Sequence, residues 1–436
     1  MIETLKNAFR NKDIRKKILL TLLFLFVFRL GCYIPIPGLT RSAFAEAVTG
    51  NDFFALMSGI TGNALANGTL FALGIGPYIN ASIIIQLLTV GIPPLERLSK
   101  QGEEGRKKIT NITRIVTIVL AIIQSVGIIV LFGNSKDAIR TDLFFDSLAF
   151  AGIYMTIVYT AGSCLVMWIG ERITEYGIGN GISMIIFIGI LSTAGTTIIE
   201  KFKGISGDVG GTLLELGLFV LITVILFFCI VFVDLAERKI PVQYAKQVRG
   251  TKMYGGQSSV IPMKITGSGV MPLIFAFAII SFPSMIIGLF WPESTAAAGI
   301  QIWFSGSSPE WYGQVIYTLA LCLLIFAFSF FYAQIQFNPE DVSKSIQQNG
   351  GFIQGIRPGK PTAQYLRKIN KRITLFGAIF LTLVAFIPSM AFSWASYDLV
   401  GVFSTTGILI VVSVALEFDK QLQSQIMMKN YKGFLK

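Results

Sequence analysis

Histidine is absent from all 436 residues. That removes the side chain that most readily exchanges a proton near neutral pH, and with it the commonest metal ligand. Cysteine is scarce: Cys32, Cys164, Cys229 and Cys322 fall singly in four separate apolar runs, which reads as small buried hydrophobes rather than a disulfide framework or a metal site. Charge is sparse too, at 14% of residues, and no acidic pair stands mid-way along an apolar run. Serine and threonine are plentiful, but none has a histidine or paired acid to activate it, so an intramembrane enzyme lacks its catalytic set. A phosphate-cradling glycine loop is missing as well: GKPT at 359–362 carries a proline inside the motif and lacks the spacing before it. Any nucleotide hydrolysis has to come from a partner, and no cofactor or metal is expected. The first apolar run is followed by no small-residue cleavage site, so no removable signal is expected.

What is present is apolar surface. Hydrophobic residues make up 53% of the chain and the mean hydropathy is +0.67, too high for a soluble fold of this length. The pattern predicts ten membrane spans near 18–34, 70–90, 112–132, 148–169, 181–199, 212–235, 269–290, 311–336, 373–391 and 402–418. With the N terminus inside, 29 of the 36 Lys and Arg fall in cytoplasmic segments and five in external ones. This bias places both termini in the cytoplasm. Residues 1–17 read as a cytoplasmic amphipathic arm lying on anionic membrane lipid, and 419–436 as a cytoplasmic tail.

The stretch Gly68–Val90 is long enough to cross a bilayer, yet Gly68, Gly74, Gly76 and Pro77 crowd its first half. A helix so interrupted persists in a membrane only where protein or a water-filled cavity satisfies the freed backbone, which points to a cavity or a moving seam. The glycine-rich, nearly chargeless segment before it reads either as an external amphipathic turn or as a short re-entrant piece. Gln124, mid-way along the third span, either bonds to a neighbouring helix or joins a polar seam. The seventh span occupies in the second five the place the second span occupies in the first: each opens on glycines and an early proline, Pro77 or Pro272. Because each half has an odd number of spans, the two enter the membrane from opposite sides, as two inverted five-helix halves, 18–199 and 212–418, joined by an external segment 200–211. Two long basic loops, 237–268 and 337–372, are expected on the cytoplasmic face. The second sets Arg357 between Gly355 and Pro358–Gly359 beside an expected exposed pair, Phe352 and Ile353, and such a stiffened loop suits presentation of an arginine to a partner. A coupled transporter usually carries a charge at mid-membrane. Its absence favours a passive conduit driven by a partner, with a secondary transporter of a small solute as the alternative.

Five stretches turn this outline into a resemblance: GTLFALGIGPYINASIIIQLL at 68–88, GERITEYGIGNGIS at 170–183, AERKIPVQYAK at 236–246, GIRPGKPT at 355–362 and LIVVSVALEFDKQLQSQIMM at 409–428. With these the chain resembles, over essentially its whole length, the SecY family of channel subunits of the bacterial preprotein translocase. The resemblance implies an all-α polytopic membrane protein of ten transmembrane helices in two pseudo-symmetric inverted halves, opening at a lateral gate between spans 2 and 7. It implies a protein-conducting channel of the cytoplasmic membrane for secretory and membrane protein substrates. It assigns about 54–66 to a plug, Ile75, Ile79, Ile182, Ile186, Ile274 and Ile410 to a pore ring, and Asn80 and Gln124 to the lateral gate. Lys246, Arg249, Lys252 and Arg357 become docking contacts for the ribosome or the SecA motor ATPase, with SecE and SecG as companion subunits.

Overall fold

The computed structural model describes residues 2–42, 44–45, 58–59, 61–133, 139, 147–203, 209–244, 247–249, 252–254, 258–265, 271–290, 311–395 and 405–434. Each of the ten apolar runs carries a helix. A short amphipathic α1, Ile2–Arg10, leads into α2, Lys12–Gly31, whose first turn is capped by the Asn11 side chain accepting the Asp13 amide at 3.3 Å. The basic arm is therefore two elements, and Ala8 is buried together with Ile14, Ile18, Ile178 and Leu422. The first half continues with α3, Gly76–Gly91, α4, Pro93–Lys100, α5, Glu103–Gly133, α6, Leu148–Tyr176, and α7, Gly181–Lys203.

The second half begins with α8, Val209–Leu235, followed by strands β1, Glu237–Tyr244, β2, Gln247–Arg249, β3, Lys252–Tyr254, and β4, Ser258–Lys264. Then come α9, Met271–Phe290, α10, Trp311–Gln336, α11, Pro339–Gln348, β5, Gly351–Phe352, α12, Lys360–Ala395, and α13, Thr405–Phe434.

By length and composition, four helical stretches among the described residues suffice to cross a bilayer: Glu103–Val130, Ala149–Tyr176, Tyr312–Gln348 and Lys360–Ile387. Gly76–Gly91 with Pro93–Lys100, bent by 100°, adds a fifth if the pair is one span. Three more apolar stretches, Gly181–Thr196, Val220–Leu235 and Met271–Ile280, lie within α7, α8 and α9. The fold is that of an all-α polytopic membrane protein, and the sheet in its basic loops is an addition to what the hydropathy pattern predicts.

Helices adjacent in sequence pack together within each half: α5 lies against α3 and α6, and α10 against α9 and α12. Between halves, α9 meets α5, and α13 meets α7. Two large apolar clusters follow from this arrangement, one centred on α2, α6 and α7 and the other on α9, α10 and α12. Large apolar side chains on outward faces, such as Phe228 and Phe232 on α8, remain exposed, as expected where lipid rather than water is the solvent. Of the four cysteines expected to be buried only Cys32 is; Cys164 and Cys322 are half-buried and Cys229, beside those phenylalanines, is exposed. Its thiol is small and apolar enough for such a face.

Candidate conduit and docking platform

The stretch Gly68–Val90 is not one helix. Residues 68–75 form consecutive turns and the helix starts only at Gly76, which puts Pro77 in the first turn, where its missing N–H costs no hydrogen bond. Phe71 to Pro77 are all buried, and the broken backbone is satisfied locally: the Ala72, Gly74 and Gly76 amides donate to the carbonyls of Thr69, Phe71 and Leu73. The segment entering these turns pairs with the one leaving α2, the Ile36 amide reaching the Gly68 carbonyl and the Leu70 amide that of Ile34. Gly74 takes φ +53, and a Cβ there would lie 2.5 Å from the Thr61 methyl. Both the turn and the close approach exclude a side chain.

Onto this break converge the six isoleucines. Ile75, Ile186 and Ile410 are buried members of one apolar cluster with Phe28, Phe71 and Val414, and the half-buried Ile79, Ile182 and Ile274 pack against it. They come from the start of α3, from α7, from α9 and from α13. Ile79 and Ile274 also pack against the second cluster, which contains Ile83 of α3 alongside Leu273 and Leu409. The two halves therefore meet through branched apolar side chains. Such side chains pack by dispersion and repel water, and they form no directional bond that a passing chain would have to match.

Asn80 lies half-buried on α3 and Gln124 buried on α5. Those two helices pack together, so both amides belong to one helix pair at the edge where α9 also touches α5. Of residues 54–66, positions 54–57 and 60 lie outside the described residues. The rest form a compact turn in which the Ser58 hydroxyl accepts the Ala66 amide at 3.2 Å and the Thr61 hydroxyl donates to the Ser58 carbonyl at 3.1 Å. Ser58, Thr61, Ala64 and Leu65 are buried, which favours the re-entrant alternative over an exposed external turn for this part of the segment.

The basic loops fold as one platform. β1 pairs antiparallel with β4 from Glu237↔Lys264 to Gln243↔Ser258, and with β5 through Gln243↔Phe352 and Tyr244↔Gly351. The alternation in IPVQY turns Ile240 and Val242 inward against Met263, Ile346, Ile353, Leu366 and Ile369. Period-two alternation in that stretch was the available signal for a strand. Pro241 is tolerated because β5 pairs only further along β1, leaving one side of the strand open there. Ile353 is 4% exposed, so the expected exposed pair reduces to Phe352: Ile353 supplies core for this sheet.

Arg357 is exposed on the loop leaving β5. Gly355 and Gly359 on either side take left-handed backbone, the Thr362 hydroxyl donates to the Arg357 carbonyl at 2.8 Å, and the Ser343 hydroxyl donates to that of Gly359 at 2.7 Å. The loop is thus held while the guanidinium projects. The register of β2 and β3 sets Arg249 opposite Lys252, and Lys246 lies outside the described residues. Arg357 leaves the three-stranded sheet, whereas Arg249 and Lys252 lie on the separate two-stranded sheet of β2 and β3, and none of the three is a member of the isoleucine cluster.

Comparison with known proteins agrees in sequence and fold. A family model described as SecY matches residues 69–418. The protein translocase subunit SecY of Streptomyces coelicolor is 41% identical over 100% of both chains, and that of Staphylococcus carnosus is 40% identical over 100% of this chain and 99% of its own. Among solved structures, one described as a protein-conducting channel has a TM-score of 0.64 at 20% identity, covering 94% of this chain and 91% of its own. Another, Sec61 in a canine ribosome–channel complex from the endoplasmic reticulum, has a TM-score of 0.61 at 20% identity and the same coverage.

Proposed function

Because the chain belongs to the SecY family, and is accordingly a protein-conducting channel and not an enzyme, we propose that the isoleucine cluster at the break before α3 is its conduit. On this reading ten helices cross the cytoplasmic membrane in two inverted halves with both termini inside, which the 29-to-5 distribution of Lys and Arg supports. Ile75, Ile79, Ile182, Ile186, Ile274 and Ile410 form the constriction, which dewets at rest and yields to an unfolded chain. The observation that carries this reading is that helices from both halves contribute to one apolar cluster around the buried break at 68–75. Residues 54–66 plug it from the outer side.

A lateral gate follows from the same packing. Where α3 and α9 part, an apolar segment of about 20 residues in transit gains by leaving water for lipid. Asn80 and Gln124 bias that opening without locking it, since such bonds between membrane helices are worth about 0.6–2 kcal/mol. Lys246, Arg249, Lys252 and Arg357 dock the translating ribosome or the SecA motor ATPase, with arginine suited to either ribosomal phosphate or a motor carboxylate. One of the related solved structures is a ribosome–channel complex, which supports the first of these partners. SecE and SecG complete the assembly.

The test is crosslinking from single cysteines at Ile79 or Ile274 to a secretory chain stalled in transit, in vesicles supplied with the motor and ATP. Crosslinks that form only with a loaded chain are expected. Their absence from both positions, with a chain demonstrably in transit, would put the conduit elsewhere.

A further inference from the structure

Arg29 ends α2 and is its only charged residue beyond the N-terminal third. A guanidinium at that depth is expensive unless its donors are used, and here they reach in three directions. Nη1 donates to the carbonyl of Gly62 at 3.5 Å, and Nη2 donates to the Tyr33 hydroxyl at 3.4 Å and to the Ser192 hydroxyl on α7. The guanidinium carbon also stands 5.3 Å from the centre of the Tyr33 ring. One side chain thereby ties α2, α7 and the turn at Gly62 together.

Its neighbours grip the same turn in the same manner. The Thr193 hydroxyl on α7 donates to the Gly59 carbonyl at 2.9 Å, and the Cys32 thiol, just past α2, reaches the Thr61 carbonyl at 3.9 Å. Each contact that reaches the turn ends on a backbone carbonyl, of Gly62, Gly59 or Thr61, so the grip holds the turn's position and is indifferent to its side chains. Room for it is made at Gly62, which takes φ +71 and where a Cβ would come within 2.2 Å of Arg29 Nη1 and 3.3 Å of the Gly189 Cα. A side chain at 62 would push the guanidinium off its carbonyl.

We propose that Arg29 is a positioning residue for the closed channel: a latch that fastens the root of the plug to α2 and α7 through backbone carbonyls, and lets go when α2 and α7 shift apart. The latch rests on the plug reading given above. A guanidinium suits the task better than an ammonium, because its planar fork bridges separated acceptors at once while lysine offers one point charge. Moreover, Arg29 joins α2 to α7 directly through Ser192, and the turn is bonded to both helices at once, so a separation of α2 and α7 cannot keep all of these bonds.

The test uses the full chain with its companion subunits in proteoliposomes, reading resting ion leak and motor-driven transport of a precursor with a weakened signal. Arg29→Gln is expected to raise the leak about tenfold, the scale of one charge-assisted hydrogen bond, and to increase transport of the weakened precursor. Gly62→Ala, which displaces the guanidinium from the other side, carries the same expectation should Arg29→Gln fail to assemble. Arg29→Lys restores part of the closure. In a chain lacking 54–66, Arg29→Gln should add nothing, since a latch without its plug has no effect. Wild-type leak in both Arg29→Gln and Gly62→Ala, with a raised leak on deleting 54–66, overturns the latch and leaves the plug standing. No change on deleting 54–66 overturns the plug, and the latch with it. An additive effect of Arg29→Gln in the deleted chain also overturns the latch, by showing a purely structural role.

Discussion

The seam between the two halves and the basic platform both join segments far apart in the chain, and they do so by opposite means. Across the seam Ile79 and Ile274 touch both large clusters through side chains alone. In the platform β1 is held by backbone ladders to β4 and β5 over a closed core of Ile240, Val242, Ile353 and Leu366. Side-chain dispersion is lost gradually and replaced by any apolar neighbour, lipid or transported segment alike. Ladder bonds are directional and are lost abruptly when the strands part. In the proposed function, the seam that parts and the platform that docks a partner are therefore built from the two different interactions.

The largest expected effect breaks the platform side of this contrast. Arg357→Glu reverses a charge on a loop held by Gly355, Gly359 and the Thr362 and Ser343 hydroxyls, so the backbone cannot swing the wrong sign away from a partner. Motor-stimulated transport should fall on the order of a hundredfold, from a lost charge-assisted pair and added repulsion, with assembly of the channel unchanged. Transport at the wild-type rate would remove Arg357 from the docking surface.

On the seam the same kind of change is absorbed in part, because five other isoleucines remain. Ile186→Asn should raise resting ion leak on the order of tenfold, matching the ~1.5–3 kcal/mol that separates a buried isoleucine from its exposed state, while motor-driven transport continues. Conductance unchanged by polar replacement at several of the six positions would count against the ring. The smallest effect sharpens the gate: Asn80→Leu should shift the equilibrium for releasing a marginally apolar segment by about threefold, the scale of a ~0.6 kcal/mol bond between membrane helices. Membrane-insertion assays with a graded series of test segments read that shift, and an effect as large as that of the ring would mean that Asn80 does more than bias a seam.

How legible each region was in the sequence follows the same division. The ten apolar runs were visible because lipid demands apolar residues in every turn, and each run carries a helix. Pro77 and its glycines marked the break correctly, but the turn at 68–75 was folded into the span since apolarity does not distinguish a buried turn from a helix. Ile240 and Val242 had the alternation of a strand, yet the β5 residues Phe352 and Gly351, which pair with Gln243 and Tyr244 at the end of that strand, lie about a hundred residues on, and nothing local names them. Ile353 looked like an exposed anchor for that reason. Arg29 was visible only as a charge near a span end; that it bridges Gly62 and Ser192 depends on contacts 33 and 163 residues away.

By itself the sequence determined that this chain lives in a membrane, where its helices fall, which segments carry the positive charge, and that histidine-based or nucleotide chemistry is not its work. Those properties are set residue by residue through transfer between water and lipid. Only the tertiary structure decided which isoleucines of many share one cluster, that strands from the two basic loops share a sheet, and that Arg29 reaches the Gly62 carbonyl. In a chain this apolar nearly every helix face can face lipid or protein, so hydropathy carries no address, and partners are chosen by shape and by the few backbone groups left to satisfy.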